Sequence, residues 1–400
     1  MSKPTSDCRA TERKHPWPMV RLGDVCEVRA GASYKDVEDP NGRYPIYGTG
    51  GIMGRASQYR CPAHSVIVGR KGTLDNPFLV HEPFWNIDTC FGVVPSERII
   101  PEYLFRFCQG FDFYSLVPAS GRPSTTSDAV RAIEIPLPPL PVQREIVARL
   151  ERELAAVEKM KKGFEALAET AKQGFKAELK EVFEALKSGG AEIGTDGTNG
   201  TVETRRLGEI CEFMTSGSRG WAKYYSDSGE LFITIKNVKD CAIDVHQVQH
   251  VKPPNGAETE RTRVKEGDLL ISITADLGRT GVVTKAIEAA GAYINQHLIC
   301  VRLKKDMMLP MFAAYYVESE DGKKQIAHRN KEAVKAGLNF ASVSSILLPF
   351  PSLPVQRQIV DRLSAAKVRA EKLEAKAHEG VAVCETMRKA ILKEAFDSGR

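Results

Sequence analysis

The sequence predicts a mixed α/β (α+β) protein: two globular domains separated by a long antiparallel two-helix coiled coil, arranged as a pseudo-two-fold internal repeat. Three observations lead there. The segment PLPPLPVQREIVARL at 136–150 returns as PFPSLPVQRQIVDRL at 349–363, with the shared PVQR core beginning at Pro141 and again at Pro354. An earlier marker, VRLGDVCEV at 20–28, returns as RRLGEICEF at 205–213, aligned at Leu22 and Leu207. After each proline cluster, apolar residues recur at the helical period of about 3.6. The step from Leu22 to Leu207 is shorter than that from Pro141 to Pro354, so the markers keep their order while the interior between them varies in length.

Residues 1–19 carry no marker and are read as an N-terminal extension. Residues 20–141 form the first domain, with strands expected at SVIVGRKG (65–72) and CFGVVP (90–95) and a helical patch at PEYLFRFCQG (101–110). The prolines at 136–141 stiffen the chain and fence this domain from a central long helix at 142–187. That helix carries the stripe Ile146, Leu150, Leu154, Val157, Met160, Phe164, Leu167, Ala171, Phe175, Leu179, Val182 and Leu186. SGGAEIGTDGTNGTVET at 188–204 is rich in Gly and Thr, a flexible linker. The second domain covers 205–354, with strands expected at LFITIKNV (231–238), GDLLISIT (267–274), GVVTKAI (281–287) and HLICVRL (297–303) and a helical patch at PMFAAYYVES (310–319). The C-terminal long helix, 355–396, repeats the apolar series through Ile359, Leu363, Ala366, Ala370, Leu373, Ala377, Val381, Cys384, Met387, Ile391 and Ala395. Each helix is about 60 Å long at 1.5 Å per residue, and a stripe of that length needs a partner. The two stripes offer each other one, with Ile146, Leu150, Leu154, Val157 and Leu167 expected to meet Ile359, Leu363, Leu373, Met387 and Ile391 in the core of the pair.

Composition narrows the function classes. No apolar run is long enough to span a bilayer, and the charged start MSKPTSDCRATERKHPW lacks a secretory apolar core, so a cytoplasmic protein without a membrane partner is expected. Nine cysteines, an odd number without any CxxC pair, indicate neither a disulfide framework nor a zinc knuckle. The net charge of +5 permits a nucleic-acid partner without demonstrating one. Catalysis finds little support. GRKGT lacks the rest of a phosphate-binding loop, and DNPF at 75–78 lacks the second proline of an adenine-methyltransferase motif. Glu178 and Lys180 lie on a solvated helix face, and the eight histidines contain no HExxH. No catalytic or metal-ligating set is therefore expected.

The order of the parts, two variable globular regions each closed by prolines, PVQR.IV.RL and a long helix, resembles the specificity subunits of type I restriction-modification enzymes from about Val20 to Phe396. In the second unit, FMTSGSRGWAKYY (213–225), FITIKNV (232–238), INQHLICVRL (294–303) and AVKAGLNFASVSSILLPFPSLP (333–354) look like a target-recognition domain of that family. YPIYGTGGIMGR (44–55) and VIVGRKGTLDNPFLV (66–80) look like another of the same group. The resemblance implies a non-catalytic subunit whose two target-recognition domains each read one half of a split, asymmetric double-stranded DNA site. The helix pair would set the spacing and hold two methylation subunits, with restriction subunits joining them. No cofactor is expected on this chain, whereas S-adenosylmethionine, ATP and Mg are expected on the partners.

Arg pairs bidentately with guanine, and Asn or Gln with adenine, so polar residues in Gly-rich loops are the candidate DNA contacts. In the first unit these are Tyr47, Arg55, Arg70, Lys71, Arg122, Ser124 and Thr125, with Gly48 and Gly51 allowing close backbone approach. In the second they are Ser216, Ser218, Arg219, Lys236, Asn237, Arg279, Asn295, Gln296 and Lys335. Structural alternatives stay open: Tyr47 packed in a tight turn, Arg70 and Lys71 on a solvated turn, Trp221 a buried anchor, Asn295 and Gln296 satisfying nearby backbone. The rival function is a non-DNA-binding helical scaffold or interaction protein with two ligand-binding lobes. Salt-dependent retention on DNA distinguishes the two, because phosphate contacts release counterions.

Overall fold

In a computed structural model the structure describes residues 16–118, 123–188, 202–331 and 337–397. The chain forms two compact units, one comprising residues up to Ala166 together with those from Ala377 onward, the other Leu167–Lys376.

The first unit is closed by the short strand Met19–Arg21, which pairs antiparallel with Glu134–Pro136. Leu22, next in the chain, is wholly buried, and its N–H donates to the Ile133 carbonyl at 2.7 Å. A four-stranded antiparallel sheet follows in the order Cys26–Ala30, Cys90–Pro95, Ser65–Gly69, Phe78–Val80. The central strand SVIVG is buried at every position because both its faces are covered. Val66 and Val68 pack with Tyr103, Leu104 and Phe107 of the helix Pro101–Gly110, whereas Ile67 packs with Phe84 and with Ile46 and Trp85 of a second sheet. That sheet has the order Gly51–Ala56, Tyr44–Gly48, Trp85–Asn86, the last pair parallel.

The second unit repeats this plan. Thr204–Arg206 pairs with Leu347–Pro349, and the Leu207 N–H donates to the Ile346 carbonyl at 2.8 Å. Its first sheet runs Cys211–Ser216, Leu298–Leu303, Leu269–Ser272, Thr280–Val282. Its second runs Tyr225–Ser226, Gln249–Val251, Glu230–Ile233, Ala292–Ile294, again ending in a parallel pair. The repeat extends into the cores. Phe396 packs edge-on against Tyr103 and Phe107 in one unit, as Phe183 does against Phe312 and Tyr316 in the other.

Several elements differ from the sequence reading. GVVTKAI is not one strand: the strand stops at Val282, and the Thr284 side chain caps a helix at Lys285–Ala289. Met19 and Thr204, assigned to the extension and the linker, lie in closing strands, whereas residues 1–15 and 189–201 fall outside the described residues.

The long helices are Leu140–Lys187 and Leu353–Asp397. Both begin inside the proline clusters, because Pro141 and Pro354 sit in the first turn, where a missing N–H leaves no hydrogen bond unmade. Each unit contains part of both helices running antiparallel. In the first, Lys161 pairs with Glu385, and Gly380 lies under the Phe164 ring, where a Cβ would come within 2.5 Å. In the second, Arg362 binds Glu178 at 2.6 Å and Glu181 at 2.9 Å, and Lys172 faces Glu374. Ile146 and Leu150 are buried in the core of the first domain and Ile359 and Leu363 in that of the second, rather than in a core of the helix pair alone; Val157 is buried, and Leu154 and Ile391 are half-buried against the first core. Three expected core residues are instead exposed: Leu167 (37%), Leu373 (42%) and Met387 (38%). Ala168, Ala171, Ala366, Ala370 and Ala377 are buried on these stretches of helix. Small residues are thus buried where larger ones were expected, and the buried stripe passes beside Leu167 and Leu373 rather than through them.

Candidate nucleic-acid interface

In the first unit three loops, at 70–77, 86–89 and 123–126, meet through backbone hydrogen bonds. The Arg70 N–H donates to the Thr89 carbonyl (2.8 Å), the Thr125 N–H to Arg70 (2.9 Å), and the Gly72 N–H to Pro123 (3.1 Å). On this frame the Lys71 ammonium faces the Asp88 carboxylate at 3.3 Å, both groups largely exposed. The Arg70 guanidinium lies over the Phe91 ring, 5.6 Å from its centroid. Ser124 is exposed beside them, whereas Thr125 is buried and its hydroxyl is not presented outward. Arg122 lies outside the described residues.

The hairpin of Tyr44–Gly48 and Gly51–Ala56 flanks this cluster, with the Asn76 amide donating to the Thr49 carbonyl at 3.5 Å. The Tyr47 ring packs against Phe78 and Phe84, and burial pushes its hydroxyl above the ordinary tyrosine pKa. Its side chain is thus a structural support. Arg55 is exposed but donates to the Gly42 and Arg43 carbonyls at the base of the hairpin. Gly48 is buried, and Gly51 turns the tip at φ +110°, a region closed to most side chains.

The second unit builds the same frame with other side chains. The Ile273 N–H donates to the His297 carbonyl and the Leu338 N–H to Ile273, each at 3.0 Å, repeating the bonds of Arg70 and Thr125. Here Thr274 Oγ1 lies 2.9 Å from His297 Nδ1, and Gln296 Nε2 lies 3.3 Å from His297 Nε2. Asn295 accepts from the His297 N–H at 3.2 Å through its side chain. Arg219 and Lys236 are exposed; Arg279 is half-buried and paired with Asp276 at 2.6 Å; Ser216 is half-buried. Two candidates are corrected by burial. The Ser218 hydroxyl bonds Thr262 Oγ1, and the Asn237 side chain accepts from Thr234 and donates to the Asp244 carbonyl, so both hold the fold. Trp221 is likewise a buried anchor, stacked on Phe232. Lys335 lies outside the described residues.

Sequence reasoning missed the residues that fix this geometry. Gly31 and Gly217 occupy the crossing from the first sheet to the second, where a Cβ would lie 1.8 Å from the Ile87 carbonyl oxygen or 2.1 Å from that of Asn295. The signal available was a glycine following the first sheet strand of each unit, after Cys26–Ala30 in one and Cys211–Ser216 in the other. Among the described residues no group of three or more His, Cys, Asp or Glu could hold a metal ion, and no helix is long and apolar enough to cross a membrane.

The family described as "Type I restriction modification DNA specificity domain" matches this chain twice, over residues 14–164 and 199–379. The chain belongs to that family. It is a specificity subunit of the type I restriction-modification systems, non-catalytic and carrying two target-recognition domains; the scaffold reading is not favoured. This specificity subunit is similar to the type I restriction enzyme EcoBI specificity subunit of Escherichia coli, 22% identical over 96% of this chain and 80% of that one. It is also 22% identical to the StySPI specificity subunit of Salmonella potsdam, over 77% of this chain and 67% of that one. Its fold matches a chain solved in a study of complex assembly and conformational transition of the type I R-M system, with TM-score 0.67 and 21% identity over 95% of this chain and 97% of the other. The HsdS subunit from Thermoanaerobacter tengcongensis matches with TM-score 0.53 and 23% identity, over 96% and 98% of the two chains.

Proposed function

We propose that each target-recognition domain of this specificity subunit reads one half of a bipartite, asymmetric double-stranded DNA site through its three-loop frame. The observation that carries this reading is one backbone frame presenting unlike side chains: Arg70, Lys71 and Asp88 in one unit, Ile273, Thr274 and Gln296 in the other. Identical frames with identical side chains would read a symmetric sequence; unlike side chains read two different half-sites. Arg70, Lys71 and Ser124 are the proposed contacts in the first half, and Arg219, Lys236, Asn295 and Gln296 in the second. The long helices set the gap between the halves and dock two methylation subunits, and restriction subunits join that assembly in the cytoplasm. S-adenosylmethionine, ATP and Mg belong to those partners.

The test is co-expression with the methylation subunit and mapping of N6-methyladenine across host DNA. A bipartite asymmetric motif with a fixed gap, present only with this chain, supports the reading, and exchange of residues 20–135 for those of a relative then changes one half alone. Unchanged methylation with an assembled complex, or a motif whose two halves change together, overturns it.

A further inference from the structure

The hairpin tip of the first domain carries a feature that hydrogen-bonded base reading does not use. Ile52 and Met53, adjacent in sequence, are 64% and 57% exposed, the two most exposed large hydrophobic residues among those described. Side chains on a strand normally alternate, so that two neighbours do not both face water. Here the register slips: Tyr47 pairs with Ile52 and Ile46 with Gly54, which leaves Met53 as the extra residue of a β-bulge, its sulfur lying over Gly48 while more than half of each residue stays open to solvent.

The tip is anchored behind and open in front. Tyr47 anchors it through Phe78 and Phe84, the Ile87 N–H holds the Tyr47 carbonyl at 3.0 Å, and Asn76 ties Thr49 to the loop that begins with Arg70 and Lys71. Gly50 and Gly51 have nothing within 4 Å of where a Cβ would stand. Two apolar side chains are far too small for a protein interface, which takes about 800 Å² per partner. They are the right size for an aliphatic wedge entering a base stack, and the loop that Asn76 ties to the tip carries Arg70 and Lys71 for the phosphate backbone. Among the described residues of the second domain, no two adjacent large hydrophobic residues are both exposed in this way, although Tyr225 and Phe340 are exposed singly. The equivalent turn of that domain, Ile235–Asn237, is capped by Thr234 and Asn237 and exposes Lys236.

Resting on the DNA-reading proposal, we infer that Ile52 and Met53 form an apolar wedge that parts one base-pair step in the half-site of the first domain, so that this half of the site is distorted on binding and the other is not.

The experiment places 2-aminopurine, in turn, at each adenine position of both halves of the mapped site and binds the duplex to the assembled methylation complex. Fluorescence is expected to rise about twofold or more at one step of the first half and at none of the second. The Ile52→Ser, Met53→Ser double variant is expected to lose that rise and about tenfold in affinity, the scale of one buried aliphatic side chain, with an unchanged melting temperature. A rise that persists in the double variant, the absence of any rise while the wild-type complex binds specifically, or an affinity loss reproduced by replacing one thymine with uracil overturns the wedge; the last indicates a thymine-methyl contact instead. Failure of the wild-type complex to prefer its site over random duplex is a different result, and it removes the DNA-reading proposal itself.

Discussion

Gln143 holds Ile100 by the backbone: its side-chain oxygen accepts from the Ile100 N–H at 2.9 Å, while its amide donates to the carbonyls of Arg98 and Pro138 at 3.0 and 2.9 Å. Gln356 does the same for Leu309, Met307 and Pro351. Both glutamines are fully buried in the first turns of the long helices, and both secure the residue before a domain helix that has no side-chain cap of its own. Gln143→Leu keeps the volume but leaves a buried N–H and two carbonyls unpartnered, a cost of roughly 3 kcal/mol. Denaturant unfolding is expected to show this loss in Gln143→Leu and a similar one in Gln356→Leu. Wild-type midpoints in both variants would refute the anchoring role.

The duplicated PVQR segment was visible in the sequence because both copies face the same packing problem. The partner of its glutamine was not, since Ile100 and Leu309 lie in other elements, far back along the chain. The long helices were legible from periodicity, yet their seam was not. Counting large apolar residues selects Leu167 and Leu373, whereas the residues actually buried there include Ala168 and Ala370, which periodicity read on large side chains passes over. For the candidate interface, residue type flagged Lys71 and Gln296 alongside Ser218 and Asn237, although the latter two are consumed by internal bonds. Which polar side chain faces outward depends on chain crossings at Gly31 and Gly217, a tertiary property that local sequence does not encode.

Asp268 is entirely buried and receives both Arg302 donors at 2.7 Å, with a third bond from the Lys265 N–H. This pairing raises the Arg302 pKa above its ordinary value. Arg302→Met leaves the carboxylate buried without its cation, which costs about 3–5 kcal/mol. The Asp268→Asn, Arg302→Met double variant removes both charges and is expected to recover part of that loss. Equal stability of Arg302→Met and wild type in urea would show that the pair contributes nothing.

Burial pushes the Cys26 and Cys90 thiols up to about 12 and Cys61 to about 11, from an ordinary 9.0. Folded-state values raised above the unfolded value mean that the associated stability is fully present below about pH 8.5. It declines as pH rises toward 11, because the unfolded chain then loses protons that the fold retains. The urea midpoint is expected to fall between pH 8 and pH 10, and to fall less in Cys90→Ala. A pH dependence identical in the variant and the wild type would exclude this source.

Lys71 and Asp88 face each other at 3.3 Å on the exposed frame of the first domain, so part of the lysine charge is already answered before DNA arrives. Phosphate contact by Lys71 makes two opposite expectations. Lys71→Ala should weaken binding to all sequences alike and reduce the slope of log affinity against log salt by about 1. Asp88→Asn frees the ammonium and removes a repulsive charge, so it should tighten binding, most visibly at low salt. Gln296→Ala, by contrast, should relax base preference in the second half only, and Asn237→Ala should lower stability without altering the methylated motif, because its side chain is spent on Thr234 and Asp244. Salt titration of complex binding together with motif mapping separates these outcomes; Asp88→Asn binding more weakly than wild type would exclude Lys71 as a phosphate contact.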